Sequence, residues 1–142
     1  RQVENRPDGL HSVTAVAQTP LGALNVVGVH LTRPWPFQPQ WGQISQTMAL
    51  GDIRRTLAGP VIIAGDFNSV SNARIGRQMK QDLGLAPAGG FPGTWPSQLP
   101  SPLNVTIDQV WRSPDLAFVS RKLGRPNGSD HRPVVTEFTR AR

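Results

Sequence analysis

The chain has 142 residues and a formal net charge of +6, and it contains no cysteine. The length suffices for one domain with a buried core, and the lack of cysteine excludes disulfides, thiolate metal sites and a cysteine nucleophile. No apolar run reaches the roughly 20 residues that a membrane-spanning helix needs, and no signal peptide is recognisable.

Positive charge is concentrated in the second half of the chain. Residues 71–142 carry ten Lys and Arg against five Asp and Glu, whereas residues 1–70 carry five against four. A basic half attracts polyanions such as phosphodiesters or anionic membranes. A solvated basic surface without a specific partner explains the same counts, so the charge leaves both interpretations open.

The first predicted elements are a flexible entry segment and a hairpin. Residues 1–10 are polar and favour a loose terminus. His11–Thr19 and Leu24–Leu31 are β-prone runs separated by Pro20-Leu21-Gly22, which predicts an antiparallel hairpin. The second run is apolar on both faces and therefore predicts a central, covered strand.

A helix is predicted from near Pro39 to the Gly59-Pro60 break. Its apolar residues fall into two sets on opposite sides, Trp41 with Ile44 and Met48, and Leu50 with Ile53 and Leu57. Either the helix kinks at Gly51, between the two sets, or it is covered on both sides.

The remaining elements are a strand, a helix, a long loop and three strands. They are predicted at Val61–Ala64, Ala73–Leu83, 84–104, Val105–Trp111, Leu116–Ser120 and Arg132–Phe138. The strands on either side of Ser113-Pro114-Asp115 are expected to pair with each other. Helices interposed among mixed strands indicate an α/β sandwich layer.

Asp66 and Asn68 stand where a short buried strand ends. Their i, i+2 spacing allows both side chains to point to the same side. Asp66 can then orient or deprotonate a water or hold a divalent cation, and Asn68 can donate to a phosphoryl oxygen. The alternative is a turn closed by hydrogen bonds from these same side chains.

Four further residues carry chemistry-bearing side chains: Asp130 and His131 before the last strand, Asp108 inside the strand Val105–Trp111, and His30 at the end of a central strand. His131 is suited to bind or protonate a phosphate oxygen, and Asp130 to hold a metal; a turn in which Asp130 caps backbone donors is the alternative. Asp108 lies among β-branched and aromatic residues and needs a cation or an imidazole such as His131 as partner, unless its strand is a solvated edge. His30 closes a central strand, where a structural role is the alternative.

Taken together in chain order, these motifs resemble one known family. They read Val29-His30-Leu31, Gly65-Asp66-Phe67-Asn68, Ile107-Asp108-Gln109-Val110 and Ser129-Asp130-His131-Arg132-Pro133-Val134. This order resembles the C-terminal half of the endonuclease/exonuclease/phosphatase family over residues 11–139. The resemblance implies half of a four-layered α/β (α+β) sandwich, with one mixed, mostly antiparallel sheet and two helices on one face.

The resemblance also implies a role for each matching residue. Asp66 orients the attacking water, and Asn68 positions the nucleophile and the phosphoryl group. His131 contacts the scissile phosphate with Asp108 as its partner, and Asp130 lies close to the metal together with Asp66. His30 matches the histidine of the deoxyribonuclease-like and phosphatase-like branches.

Two further residues are candidate substrate contacts. Thr94-Trp95 resembles a Thr-aromatic pair of the family, although Trp95 can equally be a core residue. Arg132 can line a phosphate-binding rim together with Arg121, Lys122 and Arg125, or these residues can simply be solvated.

The chain departs from the family pattern at the metal. Members bind Mg²⁺, with Mn²⁺ as an alternative, chiefly through a Glu in the N-terminal half. The only two glutamates here are Glu4 and Glu137, and neither has that context. We therefore expect residues 11–142 to be the C-terminal half of such a domain, with the main metal-binding Glu in the missing N-terminal half.

The expected function is metal-dependent hydrolysis of a phosphodiester or phosphomonoester, active in the full-length protein and weak or absent in this chain. One alternative is a noncatalytic basic module that binds nucleic acid or anionic lipid. Another is a structural half-domain completed by a partner chain. Expected partners are a phosphate-ester substrate, nucleic acid among the candidates, the missing N-terminal half, and a second copy bound through an exposed sheet face. Localisation stays open, since any signal or anchor would precede Arg1.

Overall fold

The computed structural model describes residues 2–5, 9–34 and 41–142, with the backbone alone for 2–5. Within these ranges the chain forms eight β-strands, two α-helices and one short 3₁₀ helix, Ser101–Leu103. In chain order the strands and α-helices are β1 (Gln2–Asn5), β2 (His11–Thr19), β3 (Gly22–His30), α1 (Trp41–Thr56), β4 (Val61–Asp66), α2 (Arg74–Leu83), β5 (Ala86–Pro87), β6 (Asp108–Arg112), β7 (Leu116–Leu123) and β8 (Val134–Arg140).

Six of the strands form one mixed sheet in the order β1-β2-β3-β4-β6-β5. β3 and β4 are parallel, and the other neighbouring strands are antiparallel. The predicted α/β class and the mostly antiparallel sheet are therefore confirmed. The predicted hairpin is confirmed as well, because β2 and β3 pair from His11↔His30 to Thr19↔Gly22.

Both helices cover the same face of this sheet. Val27, Ile63 and Trp111 are direct neighbours across β3, β4 and β6, and all three are fully buried. They belong to one apolar cluster with Leu50 of α1 and Met79 of α2. Burial of such side chains contributes about 1.5–3 kcal/mol each, so this cluster is the core that holds the helices to the sheet.

The opposite face of the sheet is only partly covered. Gly28, Ala64 and Val110 form one row across the central strands, and Val26 and Ile62 form the next. All five are partly exposed, whereas the residues that alternate with them on the helix side are mostly buried. The two faces thus differ in cover, and these five residues of the partly covered face are apolar, with Arg112 opposite Ile62 in the second row.

Helix α1 is covered on one side only. Trp41 and Met48 are 74% and 62% exposed, while Leu50 and Ile53 are buried. The helix is uninterrupted through Gly51, and cover on both sides is not found. Polar residues Gln43, Gln46 and Thr47 continue the buried stripe toward the N-terminus, which is why the apolar pattern looked irregular. The predicted start near Pro39 lies outside the described residues.

The predicted pairing of the strands on either side of Ser113 is wrong. β6 pairs with β4 and β5, and β7 pairs with β8 in a separate two-stranded sheet. Ser113 is buried and exchanges two hydrogen bonds with Val61, one through its N–H and one through its hydroxyl, each 2.9 Å long. These two bonds attach the end of β6 to the start of β4, and the chain then continues into β7 of the other sheet.

The prediction of a loose entry segment over residues 1–10 is wrong for Gln2–Asn5. These residues form β1, which pairs antiparallel with β2 from Gln2↔Thr14 to Asn5↔His11. Backbone N–H and C=O groups at a sheet edge accept a further strand whatever the polarity of its side chains. Polarity alone was therefore an insufficient sign of disorder.

At Gly65, the backbone of β4 leaves no room for a side chain beside β3. Its φ is +153°, and a Cβ atom there would lie 1.8 Å from the carbonyl oxygen of Val29. Only glycine lacks the side-chain atom that would make this contact. The glycine directly before Asp66 is thus required for the two strand ends to lie side by side.

We expect Gly65→Ala to lower the free energy of unfolding by about 3 kcal/mol or more, because backbone must move to admit the methyl group. Gly90→Ala is the control, since a Cβ at Gly90 meets nothing within 4 Å; its effect should stay within about 0.5 kcal/mol. Urea denaturation followed by circular dichroism measures both. Equal stability of the two variants would contradict the close approach.

Candidate active site

Three strand ends bring three ionisable side chains into one row. His30 ends β3, Asp66 ends β4 and Asp108 begins β6, and they are direct neighbours in the order His30↔Asp66↔Asp108. Parallel β3 and β4 end at the same edge, and antiparallel β6 begins there. Directly opposed residues point to the same face, which here is the face opposite the helices. The row therefore lies at one end of the partly covered face.

Asp66 uses its two carboxylate oxygens differently. Oδ1 accepts a hydrogen bond from the backbone N–H of Asn68 at 2.8 Å. Oδ2 lies 3.8 Å from Nε2 of His30 and 3.9 Å from Nε2 of His131. The side-chain turn considered as an alternative is therefore present, and the second oxygen still faces the two histidines.

Asn68 joins the ends of β3 and β4. It adopts a left-handed conformation, with φ of 48°, which asparagine tolerates better than most residues. Its Nδ2 donates to the carbonyl oxygen of Leu31 at 2.7 Å and lies 3.5 Å from Nε2 of His30. One N–H of this amide is thus bound to the backbone, and the amide stands beside His30.

His131 and Asp108 form the tightest pair in the site, with 2.7 Å between Nδ1 and Oδ2. Burial alone would lower the pKa of His131, but the hydrogen bond and charge of Asp108 and the charges of Asp66 and Asp130 outweigh it, so the pKa lies above the ordinary value of 6.5. Nδ1 is engaged by Asp108, which leaves Nε2 as the nitrogen that faces the other carboxylates.

Asp130 is the most exposed of the three carboxylates around His131. Its Oδ1 lies 3.9 Å from Nε2 of His131, and its Oδ2 accepts a hydrogen bond from the indole N–H of Trp95 at 3.3 Å. Its backbone carbonyl accepts from the N–H of Ser97 at 2.8 Å. The long loop before β6 therefore holds Asp130 at the site.

A cleft of 370 Å³ opens beside this cluster and has mainly apolar walls. Its lining comprises Arg33, Pro34, Asn68, Trp95, Val105, Ile107 and His131. Trp95 is partly buried and forms one wall, so it lies where a substrate contact would lie. Arg132 is not among the lining residues; its Nη2 donates to the carbonyl oxygen of Gly124 at 3.2 Å. The structure does not bring Arg132 to the cleft.

Two further arginines lie near the site, of which Arg33 was not among the sequence-predicted residues. Arg33 lines the cleft, and its place three residues after His30 was a usable signal. Arg121 of β7, one of the basic residues considered together with Arg132, is half-buried; its pKa is lowered by burial, and the charge of Asp108 partly opposes this shift.

The donor set fits a divalent cation in part. Ligand atoms of Asp66, Asp108 and His131 all lie within 4.8 Å of one another. Carboxylate oxygens are the ligands that Mg²⁺ prefers, and it commonly takes one or two of them from protein and fills the remaining positions with water and substrate. Of the two glutamates in the chain, Glu137 accepts a hydrogen bond from Ser120 in the two-stranded sheet, and the side chain of Glu4 lies outside the described atoms.

Solved structures of several proteins share this fold at low identity. An endonuclease/exonuclease/phosphatase from Beutenbergia cavernae has a TM-score of 0.75 and 22% identity, over 93% of this chain and 40% of that one. The human nocturnin catalytic domain with bound sulfate has a TM-score of 0.69 and 19% identity, over 94% of this chain and 54% of that one. D. rerio TDP2 with a single-strand DNA product has a TM-score of 0.67 and 15% identity, over 92% of this chain and 62% of that one. The chain thus spans between 40% and 62% of these three proteins.

Carboxylates and imidazoles that converge at one point can act as general bases, acids or metal ligands. The family model for endonuclease/exonuclease/phosphatase matches residues 2–131. The chain belongs to this family, and the resemblance read from its motifs is confirmed. No curated protein matches the chain significantly. Among the described residues, neither helix has the length and apolar character needed to cross a bilayer.

We expect the pKa of His131 in the metal-free chain to lie above 6.5 and to fall in Asp108→Asn, because the amide removes the charge that favours the imidazolium. Because the pKa of His131 is higher in the folded than in the unfolded chain, its protonation stabilises the folded state. This contribution is fully present below the pKa of the unfolded chain, near 6.5, and is lost as pH rises through the pKa of the folded chain. NMR titration of the ring protons, with EDTA present, measures the pKa. An unchanged pKa in Asp108→Asn would contradict the pairing.

Proposed function

We propose that this chain supplies the part of a metal-dependent phosphoesterase that handles water and phosphate. The observation that carries the proposal is the convergence of Asp66 Oδ2 with Nε2 of His30 and Nε2 of His131, at 3.8 and 3.9 Å, beside the Asn68 amide. A base, two imidazoles and an amide donor at one point suit attack of water on phosphorus.

His131 is the group that binds the phosphoryl oxygen in this proposal. Its raised pKa favours the protonated form, and the hydrogen bond to Asp108 fixes the ring. Nε2–H is then free to donate toward a negatively charged oxygen, where charge grows in the transition state. Asp108 acts through His131 and not on the substrate.

Asp66 orients the attacking water and accepts its proton, and Asn68 positions the phosphoryl group. Oδ1 of Asp66 is occupied by the backbone of Asn68, so Oδ2 is the oxygen assigned to the water. Asn68 has one amide N–H bound to Leu31 and offers the other to the substrate. His30, whose side chain is 63% exposed, stands at the solvent side of the same point.

A divalent cation, Mg²⁺ or alternatively Mn²⁺, is assigned to Asp130 and Asp66. When bound, it polarises the phosphoryl oxygen and stabilises the developing charge. Each carboxylate lies 3.9 Å from Nε2 of His131, and Asp66 also belongs to the group of ligand atoms that lie within 4.8 Å of one another. We assign the remaining protein ligand, a Glu, to the N-terminal half that this chain lacks.

The substrate is a phosphate ester whose organic part occupies the 370 Å³ cleft. Trp95 offers a flat apolar wall there. Nucleic acid is one candidate, supported by the basic second half of the chain and by the similarity to D. rerio TDP2, whose structure holds a single-strand DNA product. The sulfate in the nocturnin structure is consistent with a tetrahedral oxyanion as ligand of this fold.

The partly covered sheet face is assigned to the missing N-terminal half of the same protein, with a second copy as the alternative occupant. The face carries Val26, Ala64 and Val110 and ends at Asp66 and Asp108. Whatever covers it therefore also borders the site. This supports an activity that is weak or absent in the 142-residue chain alone.

In the full-length protein, we expect Asp66→Asn to lower kcat for bis-p-nitrophenyl phosphate by about 10²–10⁴-fold, the usual contribution of a general base. Asp82→Asn, on the exposed surface of α2, is the control and should leave kcat unchanged. The chain alone should show little Mg²⁺-dependent hydrolysis. Robust hydrolysis by the chain alone would contradict the assignment of a ligand to the missing half, and full activity of Asp66→Asn would contradict the mechanism.

We expect substoichiometric Mn²⁺ to broaden the NMR signals of His131 and Asn68 in the chain, because a paramagnetic ion relaxes nearby nuclei. Asp130→Asn should weaken this broadening, and excess Mg²⁺ should reverse it by competition. Asp115→Asn, which changes an exposed carboxylate between β6 and β7, is the matched control. Broadening that is equal in the two variants would contradict the assignment of Asp130.

A further inference from the structure

Two glutamines of α1 are buried on the side that faces the sheet. Gln43 and Gln46 are 3% and 4% exposed and lie one turn apart. An amide withdrawn from water costs about 1–3 kcal/mol unless its hydrogen bonds are replaced. Each of these amides must therefore be accounted for by partners inside the protein.

Gln43 donates both hydrogens of its side-chain amide, one to each of two different loops. Nε2 donates to the carbonyl oxygen of Thr32 at 2.8 Å and to that of Phe67 at 2.9 Å. Thr32 is the second residue after His30, and Phe67 lies between Asp66 and Asn68. One amide group thus joins the segments that follow β3 and β4 at the residues adjoining the site.

Two further hydrogen bonds join the same two segments. The N–H of Leu31 donates to the carbonyl oxygen of Asp66 at 2.9 Å, and Nδ2 of Asn68 donates to the carbonyl oxygen of Leu31 at 2.7 Å. The ends of β3 and β4 are therefore linked through the side chains of both Gln43 and Asn68.

Gln46 holds only one of these segments. Its Oε1 accepts from the N–H of Thr32 at 2.9 Å, and its Nε2 donates to the carbonyl oxygen of Gly9 at 3.2 Å. Among the described residues, its side-chain hydrogen bonds do not reach the segment after β4. Gln43 and Gln46 are thus alike in residue type, helix and burial, and differ in whether they reach the Asp66–Asn68 segment.

We propose that Gln43 is a positioning residue of the site, which fixes the separation of His30 from Asp66 and Asn68 by binding both loops at once. The catalytic consequence rests on the proposed function; the fixing of the loops does not. A displacement of about 1 Å in reacting groups can cost about 10²-fold in rate. A buried link between the two loops is therefore a direct way for α1 to act on the chemistry.

The test compares Gln43→Met with Gln46→Met, since methionine keeps the length and burial of the side chain and removes its hydrogen bonds. Native-state hydrogen exchange of the Leu31 and Asn68 amides is read against that of Ile63, which reports global opening of the sheet. We expect Leu31 and Asn68 to exchange about tenfold faster relative to Ile63 in Gln43→Met, with Asn68 unchanged in Gln46→Met. Equal protection of Asn68 in the two variants would overturn the proposal.

A second measurement needs no substitution. In the native chain, scalar couplings across hydrogen bonds should connect the side-chain nitrogen of Gln43 to the carbonyl carbons of both Thr32 and Phe67. A coupling to Thr32 alone would overturn the proposal, because Gln43 would then hold one loop, as Gln46 does. This result stands even if Gln43→Met fails to fold.

In the full-length protein, we expect Gln43→Met to lower kcat about tenfold or more with KM within about twofold of native, and Gln46→Met to leave kcat within about twofold. Equal kcat values in the two variants would overturn the positioning role. A native protein without phosphoesterase activity would instead contradict the proposed function, and the exchange and coupling results would decide the role of Gln43 in holding the loops.

Discussion

The parallel pairing of β3 with β4 is the constraint on which the site depends. It places His30 and Asp66 at the same edge of the sheet, and β6 adds Asp108 to the row from the opposite direction. The pairing is possible at this separation because residue 65 is glycine, whose missing Cβ would otherwise meet the Val29 carbonyl. Backbone geometry therefore comes before any side-chain chemistry in building the cluster.

Charge balance around His131 follows from that geometry. Three carboxylates, of Asp66, Asp108 and Asp130, approach one imidazole, and only Asp108 makes a direct hydrogen bond to it. Like charges so close together repel unless a cation intervenes. The imidazolium, favoured by a raised pKa, offsets part of this repulsion. The remaining negative charge suits a divalent cation, which is consistent with the proposed function.

The two faces of the sheet have different roles. The helix face holds the apolar core, and from it Gln43 reaches the loops that flank the site. The central strands of the opposite face carry apolar, partly exposed residues, and this face continues to Asp66 and Asp108. Because the chain spans between 40% and 62% of three proteins that share its fold, the proposal that a further segment covers this face also explains why the site is open on that side.

The sequence by itself determined the family, the hairpin of β2 and β3, both helices and the polar residues at the strand ends, because these are set by local pattern and motif order. Only the tertiary structure decided that β6 leaves β7 for β4, that Gln2–Asn5 form a strand, and that Arg132 turns away from the cleft toward Gly124. It also decided which oxygen of Asp66 is free and which loops Gln43 binds. The hydrogen bond from Gln43 to Phe67 joins residues 24 positions apart, and Ile62 and Arg112, which pair across β4 and β6, are 50 positions apart. All of these contacts depend on distances in space, which no local pattern of residue types records.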